Sequence, residues 1–317
     1  MLGIKRILCP TDFSEFSHRA LAHAITLAKW TGARISVIHT VPVVFAPPLA
    51  VPAPTPPIPL ATEARERLES ELRSFVGAAE RARVPVETKL VEGDPVLEIL
   101  AAAASADVIV MGTHGARGFE RFVLGSITEK VLRKATCPVM TIPRGELPGE
   151  ERNFLFHTIL CPVDFSDCST DALRTACDLA KEMHGRLVLL HVVDWIGDEV
   201  PSASLQEAAY ERLDALVPAG APPARQIVRG GRAFREIARV ADETGAGLIV
   251  MGVQGRGAID LMLFGSTTHH VIREARCPVL TIRAPGAAPL ETRASQALRA
   301  TSEPTIVTGA GAGSPPS

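Results

Sequence analysis

"MGTHGARGFERFVLGSITEKVLRKATCPVMTI" occupies residues 111–142, and "MGVQGRGAIDLMLFGSTTHHVIREARCPVLTI" occupies 251–282. Each copy leaves an apolar run through a glycine-rich turn, opens an amphipathic stretch at Gly-Ser and closes on a second apolar run. The repeat extends outward. "RILCPTDFSEFSHRALAHAITLAKWTGARISVIHTV" at 6–41 matches "TILCPVDFSDCSTDALRTACDLAKEMHGRLVLLHVV" at 158–193. Asp12 and Asp164 set an offset of 152, whereas Gly112 and Gly252 set one of 140, so the first half holds 12 extra residues between them. Self-similarity on this scale means two copies of one domain.

Within a copy, short apolar runs alternate with longer amphipathic ones. Strands are predicted at 4–10, 34–40, 86–92, 107–112 and 138–142, with helices near 15–31, 62–82, 95–105 and 125–135. Ser14 and Asp94 stand just before helical patterns as N-caps. The second half repeats the order, with strands near 157–162, 186–192, 225–229, 247–252 and 278–282. Strand–helix alternation implies a parallel sheet covered on both faces. The expected fold is therefore α/β: two tandem doubly wound, Rossmann-like domains, each a five-stranded parallel sheet with helices on both faces. The expected boundaries are 1–143 for the first domain, 144–154 for a linker, 155–283 for the second domain and 284–317 for a disordered tail rich in Pro, Gly, Ala, Ser and Thr. The halves are expected to pack about an internal pseudo-twofold axis with "PVMTI" and "PVLTI" near the contact, because fusion raises their effective concentration.

Composition narrows the function. The chain has 317 residues, 46% of them hydrophobic, and a formal charge of −2, so it has no electrostatic footprint for nucleic acid or an anionic membrane. The opening "MLGIKRILCP" is too short in its apolar run for a signal segment and reads as a first strand, which implies a cytoplasmic protein. No charged residue lies between Ile35 and Thr62, but eight prolines between Pro42 and Pro59 exclude a membrane helix and predict a Pro-rich surface loop over 42–60. Of six cysteines, Cys9 pairs with Cys161 and Cys137 with Cys277 through the repeat, so they read as small buried residues, not a disulfide plan. Cys168 and Cys177 are unmatched, and their spacing of nine puts them on different helix faces.

In a doubly wound sheet the ligand crevice lies beyond the carboxyl ends of the strands where strand order reverses. The tips that matter are the loops after the first and fourth strands: "PTDFS" and "GTHGARG" in one half, "PVDFS" and "GVQGRGA" in the other. Glycines at a strand end admit an anion close to backbone N–H groups, and a helix start adds unpaired donors. Ser126 and Thr128, with Ser266, Thr267 and Thr268, supply hydroxyls there, and Arg117 and Arg256 are within reach of outer phosphates. Tight turns alone are the competing reading of these glycines. The adjacent His269 and His270 read as surface residues, and His39 and His191 as strand-end structure.

These residues resemble the universal stress protein family in its tandem-domain form. The G-x2-G-x9-G-[S/T] spacing and the strand-end P-x-D-F-S carry the resemblance, which covers about 3–143 and 155–283. It implies a stress-response protein that binds ATP or another adenine nucleotide, with or without Mg, and associates as dimers. By position it casts Pro10, Asp12 and Val41, with Pro162, Asp164 and Val193, as the nucleoside side of the two sites. It casts Gly112, His114, Gly115, Arg117, Gly125, Ser126, Ile127 and Thr128 as the first phosphate and ribose cradle. Gly252, Gln254, Gly255, Arg256, Gly265, Ser266, Thr267 and Thr268 form the second. Asp12 also reads as a cap for the following helix. Gln254 in place of His114, an Arg-Gly step shifted by one residue, and His270 in place of Lys130 distinguish the second site.

Three functions stay open at this level. The first is nucleotide binding in a regulatory or sensor role without efficient catalysis, since no G-x-x-x-x-G-K-[S/T] loop is present. The second is a slow ATPase or a nucleotidyl or phosphoryl transferase, and the third a protein-interaction module with incidental nucleotide.

Overall fold

A computed structural model describes residues 3–45, 57–115, 124–144, 156–193, 203–253 and 265–283. The expected tail and all but Arg144 of the expected linker lie outside these residues. The first half runs β1 (Arg6–Thr11), α1 (Glu15–Thr31), β2 (Arg34–Val41), β3 (Val44–Phe45), β4 (Pro57–Ile58), α2 (Thr62–Arg81), β5 (Val86–Glu92), α3 (Pro95–Ala103), β6 (Val108–Gly112), α4 (Ser126–Lys134) and β7 (Val139–Ile142). The second runs β8 (Thr158–Pro162), α5 (Asp167–Glu182), β9 (Arg186–Val193), α6 (Ala203–Leu216), β10 (Ala224–Gly230), α7 (Ala233–Thr244), β11 (Leu248–Gly252), α8 (Ser266–Glu274) and β12 (Val279–Ile282).

Local chemistry accounts for the helix ends. Ser14 caps α1 by accepting from the Ser17 N–H, and Gly32 closes the helix at φ 69°. Asp94 caps α3 through the N–H groups of Val96 and Leu97, with Pro95 in the first turn where its missing N–H is harmless. Ser166 repeats the role of Ser14 at α5.

The strand order is β10-β9-β8-β11-β12-β7-β6-β1-β2-β5. Each half contributes five parallel strands, as the alternation requires. The two sheets are continuous, because β7 and β12 pair antiparallel with Leu280 opposite Met140, Val279 opposite Thr141 and Thr281 opposite Val139. The expected edge strands thus form the seam. The Thr141 hydroxyl donates to the Val279 carbonyl at 3.3 Å and the Thr281 hydroxyl to the Val139 carbonyl at 3.0 Å, a reciprocal pair that a twofold relation produces. Arg283 breaks the symmetry. Its guanidinium donates to the carbonyls of Leu132 and Arg133 at the end of α4, at 3.2 and 2.7 Å, where the first half has Pro143.

Two apolar cores run through both halves, one on each face of the sheet. One joins the α1 and α2 side to the α5 side through residues such as Leu21, Phe75, Phe156 and Leu173. The other collects Ile99, Val131, Leu132, Ile237 and Val271 from α3, α4, α7 and α8. Burial pushes the thiols of Cys9 and Cys277 up to about 12 and that of Cys137 up to about 11. Cys168 and Cys177 are both buried although they lie on different faces of α5, because that helix is covered widely.

The extra chain sits between β2 and β5. Val86 lies beside Ile35 and Ala224 beside Leu187, so the offset falls from 152 to 138 there, a difference of 14 residues. Two return in the second half, where α7 has 12 residues against 9 in α3 and the link to the next strand has 3 against 4. The segment expected as a loop contains a ladder: Val44 pairs with Ile58 antiparallel, both side chains exposed. Glu92 holds its return by accepting from the Leu60 N–H at 3.2 Å and pairing with Arg65. Among the described residues no helix is long and apolar enough to cross a membrane.

Candidate functional site

The strand order reverses between β1 and β6, and between β8 and β11, which pair in parallel. The reversal points therefore fall at the loops after the first and fourth strands of each half, the position at which doubly wound sheets hold their ligands.

Asp12 follows β1 directly and is exposed. Its Oδ1 accepts from the Ser14 N–H at 3.1 Å, the Ser14 hydroxyl at 2.5 Å and the Ser17 hydroxyl at 3.0 Å. Asp12 thus orders the cap of α1 through one oxygen. Its other oxygen, Oδ2, lies 2.6 Å from where a Cβ on Gly115 would be. Only glycine at 115 leaves that carboxylate in place. Asp164 makes the same contacts to the Ser166 N–H and hydroxyl, at 3.1 and 2.6 Å.

The glycines divide by role. An ideal Cβ on Gly112 would meet Phe16 Cβ at 2.9 Å and the Phe16 carbonyl at 3.2 Å; one on Gly252 would meet the Cys168 carbonyl carbon at 2.9 Å and its oxygen at 3.0 Å. These two glycines let the first turn of α1 or α5 lie against the end of β6 or β11. Packing alone accounts for them. Gly125 and Gly265 are different: they are the N-cap positions of α4 and α8, at φ −57° and −58°, and neither has a side chain to cap the helix. Their N–H groups donate to the Thr113 and Val253 carbonyls at 2.8 and 3.0 Å. The next three N–H groups of each helix, from Ser126 to Thr128 and from Ser266 to Thr268, have no carbonyl behind them in the helix and point toward the crevice end of the sheet.

Hydroxyls divide in the same way. Thr128 and Thr268 are buried, 4% and 3% exposed, and donate to the carbonyls of Gly112 and Gly252 at 2.9 and 3.0 Å. They tie helix to strand. Ser126 and Ser266 are exposed at the first turn, beside exposed Ile127 and half-buried Thr267. Pro10 and Pro162 are half-buried in β1 and β8. Val41 and Val193 end β2 and β9, and their carbonyls accept from Gly93 and Gly231 at 2.9 and 3.1 Å. His114 is half-buried, its Nδ1 3.0 Å from the Thr113 hydroxyl. Arg117, Gln254, Gly255 and Arg256 lie outside the described residues.

One feature of the crevice is not visible in residue spacing. Phe13 and Phe165, at equivalent positions, adopt φ 61° and 63°, a conformation bulky residues rarely enter. Each ring packs on a histidine, Phe13 on His39 with centroids 4.3 Å apart and Phe165 on His191 at 4.5 Å. Since a carbonyl only accepts, His39 Nδ1–H donates to Thr11 at 2.8 Å, and His191 Nδ1–H to Val163 at 2.7 Å. The pair of histidines locks the turn that carries Asp12 or Asp164. Their recurrence at both strand ends was the available signal. His269 and His270 are partly exposed: His270 stacks on Phe234 at 4.5 Å, and Glu129 and Arg133 of α4 lie near enough to act on His269.

A continuous pair of doubly wound sheets, each with an uncapped helix start at the reversal point, defines a tandem Rossmann-like α/β protein. The chain belongs to the universal stress protein family, whose model matches residues 3–143 and again 155–283. A universal stress protein of Mycobacterium tuberculosis is 28% identical over 301 residues, spanning 87% of this chain and 96% of its own. One from Methanocaldococcus jannaschii is 37% identical over 142 residues, covering 44% of this chain and 82% of its own. The crystal structure of a universal stress protein from Archaeoglobus fulgidus matches with a TM-score of 0.68 at 27% identity, over 88% of this chain and 98% of that one.

Proposed function

We propose that the chain is a stress-response protein that holds an adenine nucleotide in each strand-end crevice and acts by binding, not by turnover. The observation that carries the reading is the uncapped helix start at both reversal points, joined in the first half by glycine-only walls. In the first half a Cβ on Gly125 would lie 3.3 Å from the Thr113 carbonyl, and one on Gly115 would strike Asp12, so the cradle is open because side chains are absent from it. A phosphate chain fits that geometry: oxygens meet N–H groups and the positive end of a helix. Asp12 and Asp164 hold the nucleoside side, and the exposed Ile127 lies against the ribose. The cytoplasm is the compartment where such a ligand and six reduced thiols coexist.

Calorimetric titration of the full chain with ATP tests the reading, with product analysis over the same interval. Two nucleotides bound per chain with ATP recovered intact is the expected result. No binding of ATP, ADP or AMP would overturn the proposal, and turnover at an enzymatic rate would replace its second half with the transferase or ATPase reading.

A further inference from the structure

The two halves share one hydrogen-bonded path from the helix start at each crevice to the seam. In the second half the Gly265 N–H donates to the Val253 carbonyl at 3.0 Å, and the Val253 N–H to the Ile282 carbonyl at 2.9 Å. In the first, the Gly125 N–H donates to the Thr113 carbonyl at 2.8 Å, and the Thr113 N–H to the Ile142 carbonyl at 3.0 Å. Each path ties the N-cap residue of α8 or α4 to the last residue of β12 or β7. One residue further on, the paths part. Position 283 is arginine, and its guanidinium crosses the seam to the Leu132 and Arg133 carbonyls at the end of α4, at 3.2 and 2.7 Å. Position 143 is proline, which has no side-chain donor to return the contact to α8, and the next residue, Arg144, lies over the Phe16 ring at 5.0 Å.

The helix held in this way is the one whose start forms the first cradle. α4 has 9 residues, and at about 1.5 Å per residue it is short enough for its two ends to move as one body. Near its start the Thr128 hydroxyl ties it to the Gly112 carbonyl at 2.9 Å, and Gly125 gives it no side-chain cap. Its far end carries the negative end of the helix dipole and carbonyls with no partner inside the helix. Arg283 answers both: it brings a positive charge to that end and donates to two of those carbonyls. Arg283 is half-buried, and its backbone is anchored in the second half, because the adjacent Ile282 carbonyl accepts from the Cys168 thiol at 3.2 Å as well as from Val253.

We propose that Arg283 is a positioning residue for the first crevice. It fixes the angle at which α4 presents the N–H groups of Ser126 to Thr128 to the nucleotide's phosphates, so the first site is complete only with a residue of the second half. Position 143 supplies no such contact to the second site. This rests on the nucleotide-binding reading above.

The test separates the sites. Gly265→Val leaves the first crevice to be titrated with ATP and Gly125→Val leaves the second, each in the full-length chain at a temperature where circular dichroism shows it folded. In the Gly265→Val background, adding Arg283→Met is expected to weaken ATP binding about fivefold, the low end of energetic coupling between separated positions. In the Gly125→Val background the same change should leave the affinity as it was. Arg283→Lys, milder to the fold because it keeps a donor for the carbonyls, should show a smaller loss confined to the first crevice. Thr281→Val removes the seam bond to the Val139 carbonyl in β7 and spares the carbonyls of α4, so it should leave first-site affinity unchanged. Undiminished affinity in folded Arg283→Met, an equal loss at both crevices, a lysine as weak as methionine, or the same loss in Thr281→Val would overturn the proposal and leave nucleotide binding standing. Failure of ATP to bind the Gly265→Val parent would overturn the nucleotide reading of the first crevice, and the proposal with it.

Discussion

Gly252→Ala and Gly125→Ala are the same chemical change at two glycines of matched motifs, and the structure separates their consequences. At Gly252 the new methyl would stand 2.9 Å from the Cys168 carbonyl carbon, 3.0 Å from its oxygen and 3.1 Å from Cys168 Cβ. Carbon atoms pack at about 3.5–4.0 Å, so the first turn of α5 must retreat by roughly half an ångström or more. That turn is anchored by Ser166 and by the Cys168 thiol on the Ile282 carbonyl at 3.2 Å. Overpacking of this kind costs about 1–3 kcal/mol. At about 2–4 °C per kcal/mol, the midpoint should drop by roughly 2–12 °C. At Gly125 the backbone is at φ −57° and ψ 134°, open to any residue, and the methyl is tight only against the Thr113 carbonyl at 3.3 Å, with His114 Cα at 3.5 Å and Thr128 Oγ1 at 3.6 Å in ordinary contact. The loss of unfolded-state entropy offsets part of that contact, leaving a change within about 0.5 kcal/mol. Differential scanning calorimetry without ligand, followed by ATP titration, should therefore show Gly252→Ala unstable and Gly125→Ala stable but weakened in binding, with Gly125→Val binding nothing at the first site. A Gly252→Ala protein melting with the parent would refute the packing role. Full-affinity ATP binding at the first site of folded Gly125→Val would refute the cradle.

Thr128→Val or Thr268→Val should each lower stability by about 1–2 kcal/mol in denaturant melts, because a buried carbonyl loses its hydroxyl donor, with nucleotide stoichiometry unchanged. Arg283→Ala should cost about 1–3 kcal/mol by uncapping α4 at the seam, a loss that Arg283→Met does not rescue; the denaturant midpoint measures it. Burial, then the neighbouring Arg273, holds the His269 imidazole below its ordinary value. The folded state thus resists a proton that the unfolded chain accepts, so stability is full above about pH 6.5 and declines as pH falls below it, and His269→Gln should flatten that decline in melts between about pH 7 and 5.

The strand–helix order, the duplication and the N-caps at Ser14 and Asp94 were legible in the chain, because each depends on residues a few positions apart or on a repeat offset. Apolar period, a cap three residues from its N–H, and a repeat offset need no distant partner. The roles of individual glycines and threonines were not legible. Gly112 and Gly125 look alike in sequence, yet one admits the first turn of α1 and the other starts α4. Thr128 and Ser126 are both hydroxyls at one helix start, yet only the threonine turns inward to the strand. The positive φ of Phe13 depends on His39, and the capping of α4 depends on Arg283, 150 residues away. Such distances are set by how helices settle on the sheet, a sum over many contacts that no local pattern contains. Tertiary packing therefore decided which atoms of a repeated motif are consumed in holding the fold and which are left open for a ligand.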